Sequence, residues 1–303
     1  MSFVAFQGSV ELGLIYAIMA MGLFVSFRIL DIADLTVDGS FTTGAALSAL
    51  CTLAGHPFLG LLAAMAGGVG AGLITALLQT QLKIQPILAG ILTMTSLYSI
   101  NLLIMRGSPN LSLLRIKTVF SPFEELAQIG GISLSKILVS VALVVLCTVF
   151  LVLFFRTQLG LSIRATGDNE EMVRASSINT NVTKTIGLCL ANMLVSLSGG
   201  LLAQYQSSSD ISMGIGMVVI SLASLIIGEV ILGRKSVARN LVAVTVGSIL
   251  YRLILSLVLS ANLNPSNLKL ISSVIVVVAI SYPVVREKWA FHRAVSKLHR
   301  EGK

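Results

Sequence analysis

Charged side chains are scarce in this sequence. Asp, Glu, Lys and Arg make up only 11% of 303 residues, whereas 55% of the chain is hydrophobic and the mean hydropathy is +0.93. A soluble domain of this length could not cover its surface with so little charge. Histidine is rarer still: His56, His292 and His299 are scattered, and neither HExxH nor GxSxG occurs. This argues against a membrane-embedded hydrolase and against a metal site. The three cysteines, Cys51, Cys147 and Cys189, each lie inside an apolar run without metal spacing, so they read as small buried hydrophobes with no disulfide framework. A P-loop is missing too. Residues 228–236, GEVILGRKS, come near one, but Arg234 stands where the lysine belongs and Lys235 follows one place late. Such a loop must join a strand to a helix so that free amides cradle phosphate, and this segment ends an apolar helix. No catalytic residue and no ATPase activity are expected in the chain.

What fills the sequence is long apolar runs. A hydrocarbon layer of roughly 30 Å takes about 20 helical residues per crossing, and a lipid-exposed backbone must satisfy its own hydrogen bonds. The alternation of a barrel is absent. The expectation is an all-α, polytopic membrane protein with about nine transmembrane helices, over residues 9–29, 38–54, 58–80, 86–105, 137–155, 184–205, 214–233, 240–260 and 268–285. The first run is preceded by no basic region and followed by no small-residue cleavage site, so it is expected to be retained. Lys and Arg place the N-terminus outside and the C-terminus in the cytosol. Arg28, Lys83, Arg164, Arg174, Arg234, Lys235, Arg239 and the basic tail then fall inside, and only Arg106, Arg115, Lys117, Lys136 and Lys269 fall outside. The net charge of +8 becomes a topology signal with attraction to anionic lipid, and nucleic acid is not a partner. Residues 1–285 form a single permease-like domain with a cytosolic loop over 156–183. Residues 286–303 form a basic tail whose Trp289, Phe291 and Val295 suit an interfacial helix. The outer loop 107–136, with Pro109, Pro122, Glu124 and Glu125, is placed to cap a pore or to receive an outside partner.

Polar groups inside the spans need a partner, water or an interface. Glu229 and Arg252 sit on successive spans about two turns apart in depth, so Glu229 is expected to meet the basic cluster of the inner face. Glu11 reads as interfacial. Asp38, followed by Gly39, Ser40, Thr42 and Thr43, suits the cap of a broken or re-entrant helix. Irregular backbone at that depth survives only where protein or water covers it, which makes Asp38, Ser40, Thr42 and Thr43 candidates for a translocation path, with the amides Asn101 and Asn192. Gly68 and Gly72 have GxxxG spacing, and they join Gly67, Gly70, Gly199 and Gly200 as small residues at helix crossings.

The most informative segment is the polar, mixed-charge interruption over 156–184. Asp168 and Asn169 can cap a helix whose first turn holds Glu170 and Glu171, matching the macrodipole, while Met172, Val173, Ala175 and Ile178 supply an apolar face. Residues 160–203, with Gly160, Arg164, Ala165, Asp168, Asn169, Ala175, Ile178, Gly199 and Gly200, resemble the cytosolic loop and following helix of bacterial ABC importer permeases of the branched-chain amino acid and ribose type. Residues 12–46, above all LTVDGSF at 35–41, look more like the subgroup paired with lipoprotein receptors for aromatic amino acids and related small solutes.

The resemblance implies a dimer of permease subunits in the bacterial inner membrane, most simply a homodimer. A cytosolic ABC ATPase dimer would bind ATP and Mg, and an extracytoplasmic solute-binding lipoprotein would deliver the solute. It also implies that Asp168, Asn169, Glu170, Glu171, Met172, Val173, Arg174, Ala175, Ser176, Ser177 and Ile178 form the coupling helix to the ATPase. The expected cargo is a small solute, first an amino acid, possibly aromatic, then nucleosides or sugars. Two other classes stay open: an ion-coupled secondary transporter using Asp38, Glu229 and Arg252 as a relay, and a membrane assembly protein without transport.

Overall fold

The computed structural model describes residues 3–123, 128–129, 132–133 and 135–260, with isolated positions 270, 273, 274, 277 and 281. The expected last span over 268–285 lies largely outside the described residues. So do the tail over 286–303 with Trp289, Phe291 and Val295, and the acidic pair Glu124 and Glu125. Helix dominates. The order is α1 (Phe3–Leu23) running on into a π-helical turn (Phe24–Ile29), α2 (Thr36–Leu53), α3 (Pro57–Thr80), α4 (Pro86–Ile104), β1 (Asn110–Ser112), β2 (Gln128–Ile129), β3 (Ile132–Ser133), α5 (Ser135–Phe154), α6 (Gln158–Asp168), α7 (Glu170–Ala175), α8 (Thr180–Gln206), β4 (Ser208–Asp210), α9 (Met217–Leu232) and α10 (Val237–Ser260). Eight of the nine expected spans coincide with helices within a few residues.

Among the described residues, six helices are long and apolar enough to cross a membrane: Val4–Ile29, Pro57–Thr80, Pro86–Ile104, Ser135–Phe154, Thr180–Gln206 and Val237–Ser260. The other two are special. α9 has only 16 residues, and α2 carries Asp38 with a run of hydroxyl side chains. Local chemistry explains the ends. Pro57 and Pro86 open α3 and α4 at positions where a missing N–H costs nothing. Gly233 closes α9 at φ 71, a conformation that L side chains avoid.

α1 and α8 form the centre. In each, 83% of the apolar window is buried, against 28–39% for α3, α4, α5 and α10, so the latter four make the outer wall. The central crossings are backbone-close because they are built on small residues. Gly68 packs on Asn192 and Ser196, Gly72 on Leu188, and Gly199 on Phe41. Hydroxyls bridge the same seams: Ser196 Oγ donates to the Ala64 carbonyl at 2.6 Å, Ser198 Oγ to Ile15 at 2.7 Å, and Ser248 Oγ to Gly13 at 2.8 Å. Between α3, α5 and α8 runs an open groove of about 1130 Å³ lined by apolar side chains and Cys147, a wall suited to acyl chains.

Beyond α4 the chain folds back onto the end of α8. β1 pairs antiparallel with β4, Asn110 opposite Asp210, and the Val119 amide donates to Gln204 Oε1 at 2.8 Å. Phe120 is buried edge-on against Tyr205. The described part of the loop is therefore a lid over that end of the bundle.

Candidate functional site

The polar interruption is two helices rather than one helix within a loop. In α6, Thr157 caps the start by accepting from the Gly160 amide at 3.2 Å, and Asp168 is the last residue. Asn169 then breaks the direction, with φ −159 and ψ 97, and its side chain accepts from the Met172 amide at 3.0 Å to start α7. So Asn169 is the cap, whereas Asp168 ends the preceding helix. α7 turns Val173 inward, 2% exposed, and leaves Met172 59% and Ile178 37% exposed, with Ala175 also on the surface. Glu171, Ser176 and Ser177 are exposed beside them, and Ser177 sits at φ 63.

Ion pairs clamp this short helix to α8. Glu170 accepts from Lys184 Nζ at 2.7 Å, from Arg174 at 2.8 Å and from Thr180 Oγ1 at 3.1 Å. One hydroxyl pair, Thr166 with Thr183 at 2.8 Å, ties α6 to α8. Gly167 lies against the Ile29 carbonyl and Leu30, so α6 also rests on the end of the π-helical turn. Burial works to raise the Glu170 carboxyl, but the Lys184 ammonium, the Thr180 hydroxyl and the Arg174 guanidinium outweigh it and hold the group below its ordinary value. A carboxylate held low stabilises the fold fully above its unfolded pKa of about 4.3 and loses that contribution as pH falls through the lower folded value. Hydrogen exchange of amides 172–176, corrected for intrinsic rate, is thus expected to stay flat between about pH 7 and 5 and to quicken below about 4. Quickening already between pH 7 and 5 would refute the clamp.

The second region is the break between α1 and α2. Residues 30–35 leave the helical path, with Asp31 exposed at φ 55. Asp34, 2% exposed, accepts from the Thr36 amide at 2.9 Å and from Asn192 Nδ2 at 2.7 Å, and Ser40 Oγ donates to Asn192 Oδ1 at 2.7 Å. Asp38 does not cap its own helix. Its oxygens accept from the Gly216 and Val218 amides of α9, each at 2.9 Å, while Thr42 Oγ1 accepts from Gly214 at 3.1 Å. Thr43 bonds back to Gly39, and Asn101 Nδ2 reaches the Gly39 carbonyl at 3.3 Å. The six residues picked as a path, Asp38, Ser40, Thr42, Thr43, Asn101 and Asn192, are thus gathered around α2. All but the half-buried Asp38 are within 4% exposure, and each faces protein.

A membrane bundle with a clamped helix pair at one end and a broken helix in its middle is the arrangement that known proteins can be matched against. Residues 7–281 match the family described as branched-chain amino acid transport system, permease component. The chain belongs to this family. It is an ABC-type permease subunit and a multi-pass protein of the bacterial cell membrane. The permease is 37% identical over 265 residues to the tyrosine transport system permease protein of Clostridioides difficile, covering 87% of this chain and 86% of that one. Over 216 residues it is 28% identical to the ribose import permease protein RbsC of Escherichia coli, covering 70% of this chain and 65% of the relative. Among solved structures, PsaBC from Streptococcus pneumoniae in complex with Fab contains a chain of the same fold, with TM-score 0.53 and 16% identity over 92% of this chain and 91% of that one.

Elsewhere in the permease, ionisable groups fall into separate pairs. Glu229, buried near the end of α9, pairs with Arg234 of the basic cluster expected to meet it, at 2.5 Å, and also with Arg28 of the π-helical turn at 3.0 Å. Arg252 lies apart, its guanidinium 4.2 Å from the Tyr16 ring centre. Glu11 differs from expectation: it is 4% exposed, accepting from Gln7 at 2.9 Å and from Tyr205, at the end of α8, at 2.8 Å. Of the cysteines only Cys147 is fully buried. Three features escaped sequence reasoning. α6 as a helix had a signal, Thr157 three residues before Gly160. Arg28 with Glu229 and Asp34 with Asn192 had none, since they join residues 201 and 158 apart.

Proposed function

We propose that this permease is the membrane-spanning subunit of an ATP-driven importer, paired with a second copy of itself and with a cytosolic ATPase dimer that binds ATP and Mg. In this reading α6 and α7 lie on the cytosolic side, the N-terminus lies outside, and an extracytoplasmic binding lipoprotein meets the end carrying the lid. The cargo is a small solute, an amino acid, with an aromatic one favoured by the likeness to a tyrosine transport permease. The observation that carries the coupling role is α7 itself: a helix pinned by Glu170 and Lys184, yet presenting Met172, Ala175 and Ile178 outward. An exposed apolar edge on a rigid support is the form expected of a helix that inserts into a groove on a partner. Through Gly167 and Thr166 its movement would reach the ends of α1 and α8 together.

The test is Ala175→Trp and Met172→Glu in the assembled importer. Both side chains project from the fold, so the thermal midpoint of the permease is expected to hold within a few degrees, the range for surface changes. ATP-driven uptake should fall at least tenfold while docking of the binding protein persists. Undiminished uptake in both variants would overturn the coupling role. The ribose relative supports a sugar cargo as the second reading, and a ligand-induced melting screen of the cognate binding protein separates the two.

A further inference from the structure

Most outward faces of the bundle are what a lipid-facing wall requires. Leu62, Val69 and Leu73 are exposed on α3, and Val145, Leu146 and Val149 on α5. α4 differs. Its buried side carries Ala89, Gly90, Thr93, Leu97 and Asn101, but its exposed side interrupts the apolar Ile87, Leu88, Ile91, Leu92, Ile100 and Leu103 with a polar band of Thr95, Ser96, Tyr98 and Ser99. At 1.5 Å per residue these lie roughly 14 to 20 Å from the Pro86 end of a helix about 28 Å long. They therefore occupy its middle.

Two of these groups are no burden in lipid. Thr95 Oγ1 donates to the Ile91 carbonyl at 2.8 Å, and Ser96 Oγ to Leu92 at 2.9 Å, so their protons are spent within the helix. Tyr98 and Ser99 are another matter. Tyr98 is 53% exposed, and among the described residues no hydrogen bond involves its hydroxyl or that of Ser99. Tyrosine favours the membrane interface, where its hydroxyl meets water. Long helical side chains lean toward the helix N-terminus, which here carries the Tyr98 hydroxyl away from the nearer end of α4 and deeper into the membrane. A phenol left unpaired in hydrocarbon costs several kcal/mol.

We propose that the Thr95, Ser96, Tyr98 and Ser99 face of α4 borders the water-filled translocation path and touches the solute as it passes. The proposal rests on the importer reading only for what passes. The polar groups around α2 are buried and, apart from Asn101 Oδ1, hydrogen-bonded to side chains or backbone within the bundle, so the outward face of α4 supplies an exposed polar surface at mid-depth. α4 carries no charged group. Hydroxyls and a phenol without a fixed charge suit a polar solute of zero net charge, a zwitterionic amino acid or a neutral sugar, and disfavour an ion.

The experiment is thiol accessibility in membranes. In a chain with Cys51, Cys147 and Cys189 replaced, single cysteines are introduced as Thr95→Cys, Ser96→Cys, Tyr98→Cys and Ser99→Cys. Leu73→Cys and Val145→Cys serve as lipid-facing controls and Leu97→Cys as a buried one. A negatively charged methanethiosulfonate reacts with thiolate, which forms only in water. At least three of the four α4 positions are expected to react tenfold or more faster than all three controls. Rates equal to the lipid-facing controls would overturn the proposal. So would protection of all four positions with a disulfide between two copies on oxidation, which would make this face a dry contact between protomers. Labelling without ATPase decides this proposal by itself, whereas the ATP dependence of uptake decides the importer reading.

Discussion

Gly68→Val is expected to prevent the bundle from assembling, whereas Gly70→Val, two residues along the same helix, should be close to neutral. A Cβ at Gly68 would collide with the Asn192 carbonyl and come within 2.6 Å of Ser196 Cβ and 2.8 Å of the Asn192 carbonyl carbon. These are mostly backbone atoms of the central helix α8, and they cannot swing aside as a side-chain tip can. Overpacking a core typically costs about 1–3 kcal/mol when side chains yield. Here α3 and α8 would have to separate, taking with them the Ser196 to Ala64 hydrogen bond and the contact of Gly72 with Leu188. The loss should exceed roughly 3 kcal/mol, a large part of a total of about 5–15. At Gly70 the same Cβ meets nothing within 4 Å. Both changes remove the same helix-weakening glycine, so propensity cancels and packing alone separates them. Size-exclusion profiles and thermal midpoints in detergent read the difference. A monodisperse Gly68→Val protein melting with Gly70→Val would refute the account of this crossing.

The same crossing shows what a linear sequence discloses. GxxxG spacing at Gly68 and Gly72 marked a close approach, since only small residues permit it, but the partner was hidden because α8 lies more than 100 residues away. The spans were legible because hydrocarbon thickness imposes a length on each. The Asn169 cap was legible because it acts over three residues. Asp38 was recognised as a capping side chain at a broken helix, yet the helix it caps is α9, 178 residues on. Glu11 read as interfacial from its place near the end of a span, and it is buried where Tyr205 of the distant α8 meets its carboxylate. The choice of path residues by polarity within apolar runs gathered groups that, apart from Asn101 Oδ1, are hydrogen-bonded inside the bundle. Exposure, which sequence does not carry, is what singles out Tyr98 and Ser99. Local chemistry was readable, then, and pairing across the bundle was not.

Asp38→Ala is the second change expected to have a large effect. The first amides of any helix lack intrahelical acceptors, and in water the solvent supplies them. At the start of α9 those amides are at Gly216 and Val218, both partly buried, and each of their two bonds ends on an Asp38 oxygen at 2.9 Å. The carboxylate also sits where the helix macrodipole is positive, which favours a negative group. Alanine removes both acceptors at once. A fully buried donor left unpaired costs about 1–3 kcal/mol, and these two are partly buried, so the cost is roughly 1–3 kcal/mol in all. Asn is expected to fall between, since its carbonyl can still accept one amide while its NH₂ faces the other donor. The order of thermal midpoints should be wild type, then Asp38→Asn, then Asp38→Ala, with faster proteolysis near residues 212–216 in the last. Equal midpoints would mean that the α9 amides find other acceptors. The effect should also reach transport, because α9 ends in Glu229, which holds Arg28 on the π-helical turn, and that turn supports α6 at Gly167. Fraying one end of α9 loosens the far end of the same rod, so uptake should fall in Asp38→Ala even in the fraction of protein that inserts and folds.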